Sequence, residues 1–156
     1  GYELACGLQI GKQTVNAIYD WDNYSTYYHK DLLGANNNII ISSPVISGPK
    51  VYELINLLKE KQMSGVQITI VTWAPDSYRF GDAAYWMQLH EDMRQAGFYI
   101  KTVEESCERF AVIDQEVVWY GNINLLAKDK VDDSIMRVLS KEIASELMEI
   151  TFGDNG

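Results

Sequence analysis

Apolar positions along the chain recur in two rhythms. Ile39-Ile40-Ile41 and the run from Val66 to Thr72 are continuous, which suits strands covered on both faces. Between them, after Gly48-Pro49, the residues Val51, Leu54, Ile55 and Leu58 repeat at helical spacing until Ser64-Gly65 stops them. Strand, helix and strand in this order predict a right-handed parallel crossover. Upstream, Thr14 to Tyr19 alternates, with Val15, Ala17 and Tyr19 on one side, and reads as an edge strand. Asp20-Trp21-Asp22-Asn23 is a turn able to cap a helix. In that helix Tyr24, Tyr27, Tyr28 and Leu32 form a stripe, and Gly34 ends it. An aromatic stripe at this spacing reads as core packing rather than a base-stacking platform.

Downstream, Trp73 to Gly81 is a polar loop carrying Pro75, Asp76 and Arg79. Asp82 is expected to cap a third helix with Trp86, Leu89 and Met93 inward and Gly97 at its end. Strands follow at Phe98 to Val103, Phe110 to Ile113, Val117 to Tyr120 and Ser134 to Leu139. A tight Asp114-Gln115-Glu116 corner joins the second and third of these. Ser140 caps a last helix with Ile143, Ala144, Leu147 and Ile150 on its apolar face. The pattern predicts an α/β domain, a mixed and mostly parallel sheet flanked by helices. Residues 1 to 12 and 153 to 156 carry little signal and are expected to be poorly ordered.

Composition narrows the function. The 156 residues suit one domain, and a 47% hydrophobic and 22% charged make-up is ordinary for a globular protein. A net charge of −9 does not draw phosphate backbones over long range. Contact with nucleic acid would need a local basic cleft or a basic neighbour within a larger protein. Cys6 and Cys107 are too few for a disulfide framework and read as reduced thiols of a cytoplasmic protein. No apolar run approaches the ~20 residues of a membrane span, and no signal segment is visible. The chain opens on Gly1, so a longer parent polypeptide is expected. His29 and His90 read as ordinary helix residues.

The stretch from Cys107 to Asn124 carries the chemistry. Cys107, Arg109 and Asp114 are spaced C-x-R-x-x-x-x-D, and after six further residues Gly121, Asn122 and Asn124 read G-N-x-N. This resembles the signature of the phospholipase D superfamily, H-x-K-x-x-x-x-D followed by G-S-x-N. Cys107 falls on the family histidine, Arg109 on its lysine and Asn122 on its serine; Asp114, Gly121 and Asn124 match. The I-I-I-S-S-P strand end, the Val66 to Thr72 strand and the S-I-M-R strand are similar to the family in the same order. Asp133 lies where the family often places an acidic residue. The likeness is greatest to single-signature domains attached to helicases and other nucleic-acid enzymes.

The resemblance implies a phosphodiesterase built from two signatures at a two-fold axis. One histidine attacks phosphorus and the other protonates the leaving alcohol. Lysines and asparagines hold the phosphate oxygens. A chain with one signature then needs a homodimer; no cofactor, metal or membrane is implied. Cys107 departs from this. A thiol is a poor proton donor at neutrality, and Glu104, Glu105 and Glu108 are expected to raise its pKa against Arg109. It is either a nucleophile or a small residue filling the histidine slot. Arg109 is either a phosphate ligand or one half of a salt bridge to Asp114 or a nearby Glu. The reading is a domain with a degenerate catalytic motif, serving dimerisation or positioning in a nucleic-acid-processing protein. The alternatives are an active phosphodiesterase or nuclease, and a phosphate or nucleic-acid binding module.

Overall fold

The computed structural model describes residues 17–75, 83–104, 107–128 and 130–153. Their elements run β1 (Ala17–Asp20), α1 (Tyr24–Leu33), β2 (Asn38–Ser42), α2 (Gly48–Met63), β3 (Gln67–Trp73) and α3 (Ala83–Gln95). Then come β4 (Tyr99–Val103), β5 (Phe110–Ile113), β6 (Val117–Gly121), β7 (Ser134–Leu139) and α4 (Lys141–Phe152). The beginning of the expected first strand (Thr14 to Asn16), the tail from 154, the expected Asp82 cap and most of the loop before it lie outside the described residues.

Seven strands form one sheet in the order β1-β7-β6-β5-β2-β3-β4, with β1 at an edge as its weak alternation implied. The sheet is mixed, but parallel pairs are the minority. Only β2 with β3 and β3 with β4 run parallel, while β1–β7, β6–β7, β5–β6 and β2–β5 are antiparallel. The reason lies in the connections. Parallel neighbours need a crossover helix, and only α2 and α3 supply one; the β5–β6 pair closes through a tight turn. The expectation of a mostly parallel sheet overweighted the strand–helix–strand unit.

Alternation along the strands sorts the core into two layers. Ile39, Ile41, Ile68, Ile70, Ala111, Ile113 and Trp119 face α1, α2 and α3, with Tyr24, Tyr28, Leu32, Val51, Leu58, Leu89 and Met93 against them. Ile40, Val71, Phe110, Val112 and Val118 face α4 through Ala144 and Leu147. Tyr27 is the member of the aromatic stripe that stays out, 48% exposed, stacked on Tyr19. Asp31 ties α1 to the sheet: Arg137 donates to it at 2.6 and 3.0 Å and the Trp119 indole N–H at 2.8 Å. Ser140 caps α4, accepting the Ile143 N–H at 3.0 Å.

Because β2, β3 and β4 are parallel and β5 opposes β2, one edge of the sheet collects particular ends. It holds the ends of β2, β3, β4 and β6 and the start of β5. All residues of the C-x-R and G-N-x-N segments lie at or just beyond this edge. The β5–β6 turn lies at the other.

Candidate functional site at the head of the β5–β6 hairpin

Arg109 immediately precedes β5, and Asn124 follows β6 by three residues. The hairpin brings them together: Arg109 Nε donates to Asn124 Oδ1 at 3.0 Å. Both side chains are partly buried. Arg109 thus meets Asn124 rather than Asp114. A guanidinium carries five N–H donors, so this bond fixes one and aims the rest.

Asp114 belongs to the opposite edge. It lies five residues along the strand from Arg109, roughly 16 Å of extended chain. Its carboxylate accepts the Asn36 N–H at 2.9 and 3.1 Å, the Asn37 N–H at 2.7 Å and the Asn38 N–H at 3.1 Å. Its backbone and that of Gln115 are left-handed, with φ of 55° and 59°, as a tight hairpin turn demands. Asp114 thus fastens the α1–β2 loop to the hairpin and takes no part in the cluster at the head.

Cys107 sits half-buried where β2 ends, beside Ser42. Its Sγ lies 3.4 Å from Ser42 Oγ and 3.8 Å from the Glu108 carbonyl oxygen. The Ser42 hydroxyl donates to that same carbonyl at 2.6 Å. Burial pushes the Cys107 thiol pKa up; a Ser42 hydroxyl aimed at sulfur, and after it Arg109, would pull it down, and Glu108 raises it. The expected rise is present, but desolvation rather than the glutamates is its main cause; Glu105 lies outside the described residues. A hydroxyl donating to sulfur would favour the thiolate. At 2.6 Å the carbonyl, which only accepts, claims the Ser42 hydrogen, and the thiol is left as the donor.

The remaining signature residues close the backbone. A Cβ on Gly121 would stand 2.6 Å from Ile135 Cα and against the Ser134 carbonyl, so glycine lets β7 lie against the end of β6. Asn122 grips Ser134 twice, its N–H donating to the Ser134 carbonyl at 3.1 Å and its Oδ1 accepting the Ser134 N–H at 2.9 Å. The Asp133 carbonyl accepts the Trp21 N–H at 3.0 Å, at the same edge. Among the described residues no group of three His, Cys, Asp or Glu is placed to hold a metal ion. No helix among them is long and apolar enough to cross a membrane.

Sequence reasoning missed Ser42 and Tyr120 as partners. Ser42 is 1% exposed, and the signal was a hydroxyl ending an apolar strand. The Tyr120 hydroxyl donates to Glu108 Oε1 at 2.7 Å, a bond that pushes its own pKa up. Ser43, also buried, accepts the Leu126 N–H at 3.2 Å and donates to the Val45 carbonyl at 2.7 Å. This pins the segment after Asn124 to the end of β2.

Three comparisons place this arrangement. No curated protein matches the chain in sequence. Nuc from Salmonella typhimurium, a phospholipase D family member, superposes with a TM-score of 0.67 at 13% identity, covering 87% of this chain and 91% of that one. NucT from Helicobacter pylori superposes at 0.65 and 9% identity, covering 88% and 92%. TrmBL2, an archaeal chromatin protein whose structure shows a mode of DNA binding, superposes at 0.61 and 11% identity over 90% of this chain and 52% of that one. The family model for the cardiolipin synthase PLD-like domain matches residues 28–152, and the chain belongs to the phospholipase D superfamily as a PLD-like domain.

Proposed function

We propose that this PLD-like domain has a degenerate, inactive phosphodiesterase site and serves as a dimerisation or positioning module in a nucleic-acid-processing protein. One observation carries the reading. At the position matching the family's nucleophilic histidine stands Cys107, a half-buried thiol whose pKa is raised chiefly by burial. The family mechanism asks one group to attack phosphorus and its two-fold mate to protonate the leaving oxygen. A neutral thiol does neither well: the thiolate is the nucleophile, and a high pKa makes a poor acid at neutral pH. The share of the fold with Nuc, NucT and the DNA-binding TrmBL2 supports a nucleic-acid setting.

A second reading rests on Arg109. Its tether to Asn124 spends one donor and leaves a partly buried cation at the sheet edge. Such a guanidinium suits an oxyanion, so phosphate binding survives where turnover does not.

The test assays bis(p-nitrophenyl) phosphate with the parent chain, Cys107→Ala, Cys107→His and Cys107→His combined with Arg109→Lys. The expected parent rate is indistinguishable from Cys107→Ala, with turnover appearing only in the histidine variants. Metal-independent turnover by the parent that Cys107→Ala abolishes would overturn the reading and make Cys107 a nucleophile. The dimer role predicts a two-fold dimer in sedimentation at tens of micromolar, with two copies of Cys107 near the axis; a monomer there removes it. Sulfate raising the melting temperature of the parent but not of Arg109→Leu supports the anion reading.

A further inference from the structure

One buried ring nitrogen on α3 has no hydrogen-bond partner among the described residues. It is Nε2 of His90, a residue 1% exposed. Leaving such an atom unpaired costs on the order of 1–3 kcal/mol. His90 borders a groove of about 620 Å³ whose other walls include Pro75, Met87, Glu91, Arg94 and Thr102. That is the size range of small-molecule sites, roughly 300–1,000 Å³. The groove opens beside α3 toward the ends of β3 and β4, three strand spacings from β5, or about 14 Å. It is separate from the Arg109–Asn124 pair and does not rest on the reading of that site.

We propose that this groove binds an organic oxyanion, a carboxylate or phosphate ester, between His90 Nε2 and the Arg94 guanidinium. Protonated at Nε2, the imidazole holds a donor that no described residue accepts. Arg94 is only loosely held. Its partner Glu91 stands 3.8 Å away, beyond hydrogen-bond distance, with the two side chains 50% and 53% exposed. Gln95 donates to the other Glu91 oxygen at 3.4 Å, so Glu91 keeps a partner when Arg94 turns to a ligand. Met87, 59% exposed, and Pro75 supply an apolar wall, which favours an acid with an apolar body over a bare ion. Burial first, and Arg94 second, hold the His90 pKa below its ordinary value, and a bound anion acts in the opposite direction.

The chain has two histidines, so side-chain NMR reads the site with His29 as internal control. Benzoate and phenyl phosphate are titrated into the full chain, with acetate and inorganic phosphate as bare-ion arms. The expected result is a saturable shift of the His90 ring resonances and a higher titration midpoint for His90, with His29 unmoved and the bare ions weaker. Arg94→Gln, a change at an exposed site, is expected to weaken binding by about five-fold, the equivalent of one exposed ion pair. Response to only one of the two aromatic acids names the source of the oxyanion, carboxylate or phosphate. His90 resonances that stay still to tens of millimolar, or that drift in step with His29, would overturn the proposal. So would an unchanged affinity in Arg94→Gln.

Discussion

At the turn of the β5–β6 hairpin, Asp114 accepts three consecutive backbone N–H groups from the α1–β2 loop. At the open end of the same hairpin, Cys107 leans on Ser42 and Arg109 on Asn124. Both ends belong to one family signature; the turn keeps the family's aspartate, while the open end keeps Gly121 and Asn124 and differs at Cys107, Arg109 and Asn122. Asp114 and Gly121 answer backbone demands: three amides to satisfy, and a strand that leaves no room for a Cβ. Those demands exist whether or not substrate is ever bound. The altered positions are Cys107, Arg109 and Asn122, of which the first two fall on the histidine and lysine that the resemblance sets at the phosphate. Here each has acquired a partner inside the protein.

If that division is right, the turn should be the costly end to change. Asp114→Ala strands the Asn36, Asn37 and Asn38 amides and places alanine at a left-handed φ. Hydrogen bonds to a charged acceptor are worth ~1.5–3 kcal/mol each, and the loop amides regain water on release, so the expected loss is about 3 kcal/mol. For a chain of this length that lowers the melting temperature by roughly 6–12 °C. Asp114→Asn, which tolerates the left-handed backbone, should fall between parent and alanine. Urea unfolding gives the number, and a loss under about 1 kcal/mol would erase the contrast between the two ends.

The Arg109–Asn124 pair comes next in size. A double-mutant cycle with Arg109→Leu and Asn124→Ala is expected to return a coupling of about 1 kcal/mol, the usual worth of one such bond. A coupling near zero would mean the pair touches without holding the head of the hairpin, and would weaken the anion reading with it.

Cys107→Ala should cost less than ~1 kcal/mol at neutral pH, since it removes one half-buried sulfur and only a long, 3.8 Å contact to a backbone carbonyl. Its signature is in the pH dependence. Burial raises the folded thiol pKa above the unfolded value, so the unfolded chain ionises first as pH rises. The thiol's contribution is complete below the unfolded thiol pKa and is lost as pH climbs through the folded one. Tyrosines titrate in the same alkaline range, so the readable quantity is the difference between parent and Cys107→Ala. That difference should shrink above about pH 9. A difference that grows there would mean the folded state favours the thiolate.

Much of this arrangement was legible in the residues. The tight corner at Asp114-Gln115-Glu116 joined two strands into a hairpin, and a hairpin of fixed length brings its two ends, Arg109 and Asn124, together. The apolar periods located α1, α2, α3 and α4 within a residue or two. Strand direction was less legible: periodicity says that Phe110 to Ile113 is buried, not which neighbour it takes, and antiparallel pairs came to dominate the sheet. Site detail was least legible. Asp114 looked like part of the chemistry because the signature groups it with Cys107 and Arg109, while strand geometry sends it to the far edge. Ser42 was hidden because its contact with Cys107 spans 65 positions, and its local mark, a hydroxyl ending an apolar strand, names no partner.

The smallest effect discriminates most finely at the head of the hairpin. The Ser42 hydroxyl has one hydrogen and two candidate acceptors, the Glu108 carbonyl at 2.6 Å and Cys107 Sγ at 3.4 Å. A carbonyl has no hydrogen to give, so the short bond commits Ser42 as its donor and leaves the thiol donating to Ser42 Oγ. Hydrogen bonding of that kind stabilises the neutral thiol. Removing the acceptor with Ser42→Ala should then lower the Cys107 pKa slightly and speed its alkylation by iodoacetamide at pH 8, by less than about ten-fold, the equivalent of one pKa unit. The measurement belongs in a Cys6→Ser background, so that one thiol reports. Slower alkylation in Ser42→Ala would mean that the hydroxyl serves sulfur rather than the carbonyl. Cys107 would then be a thiol whose surroundings favour its ionised form, and the contrast between the two ends of the hairpin would have to be redrawn.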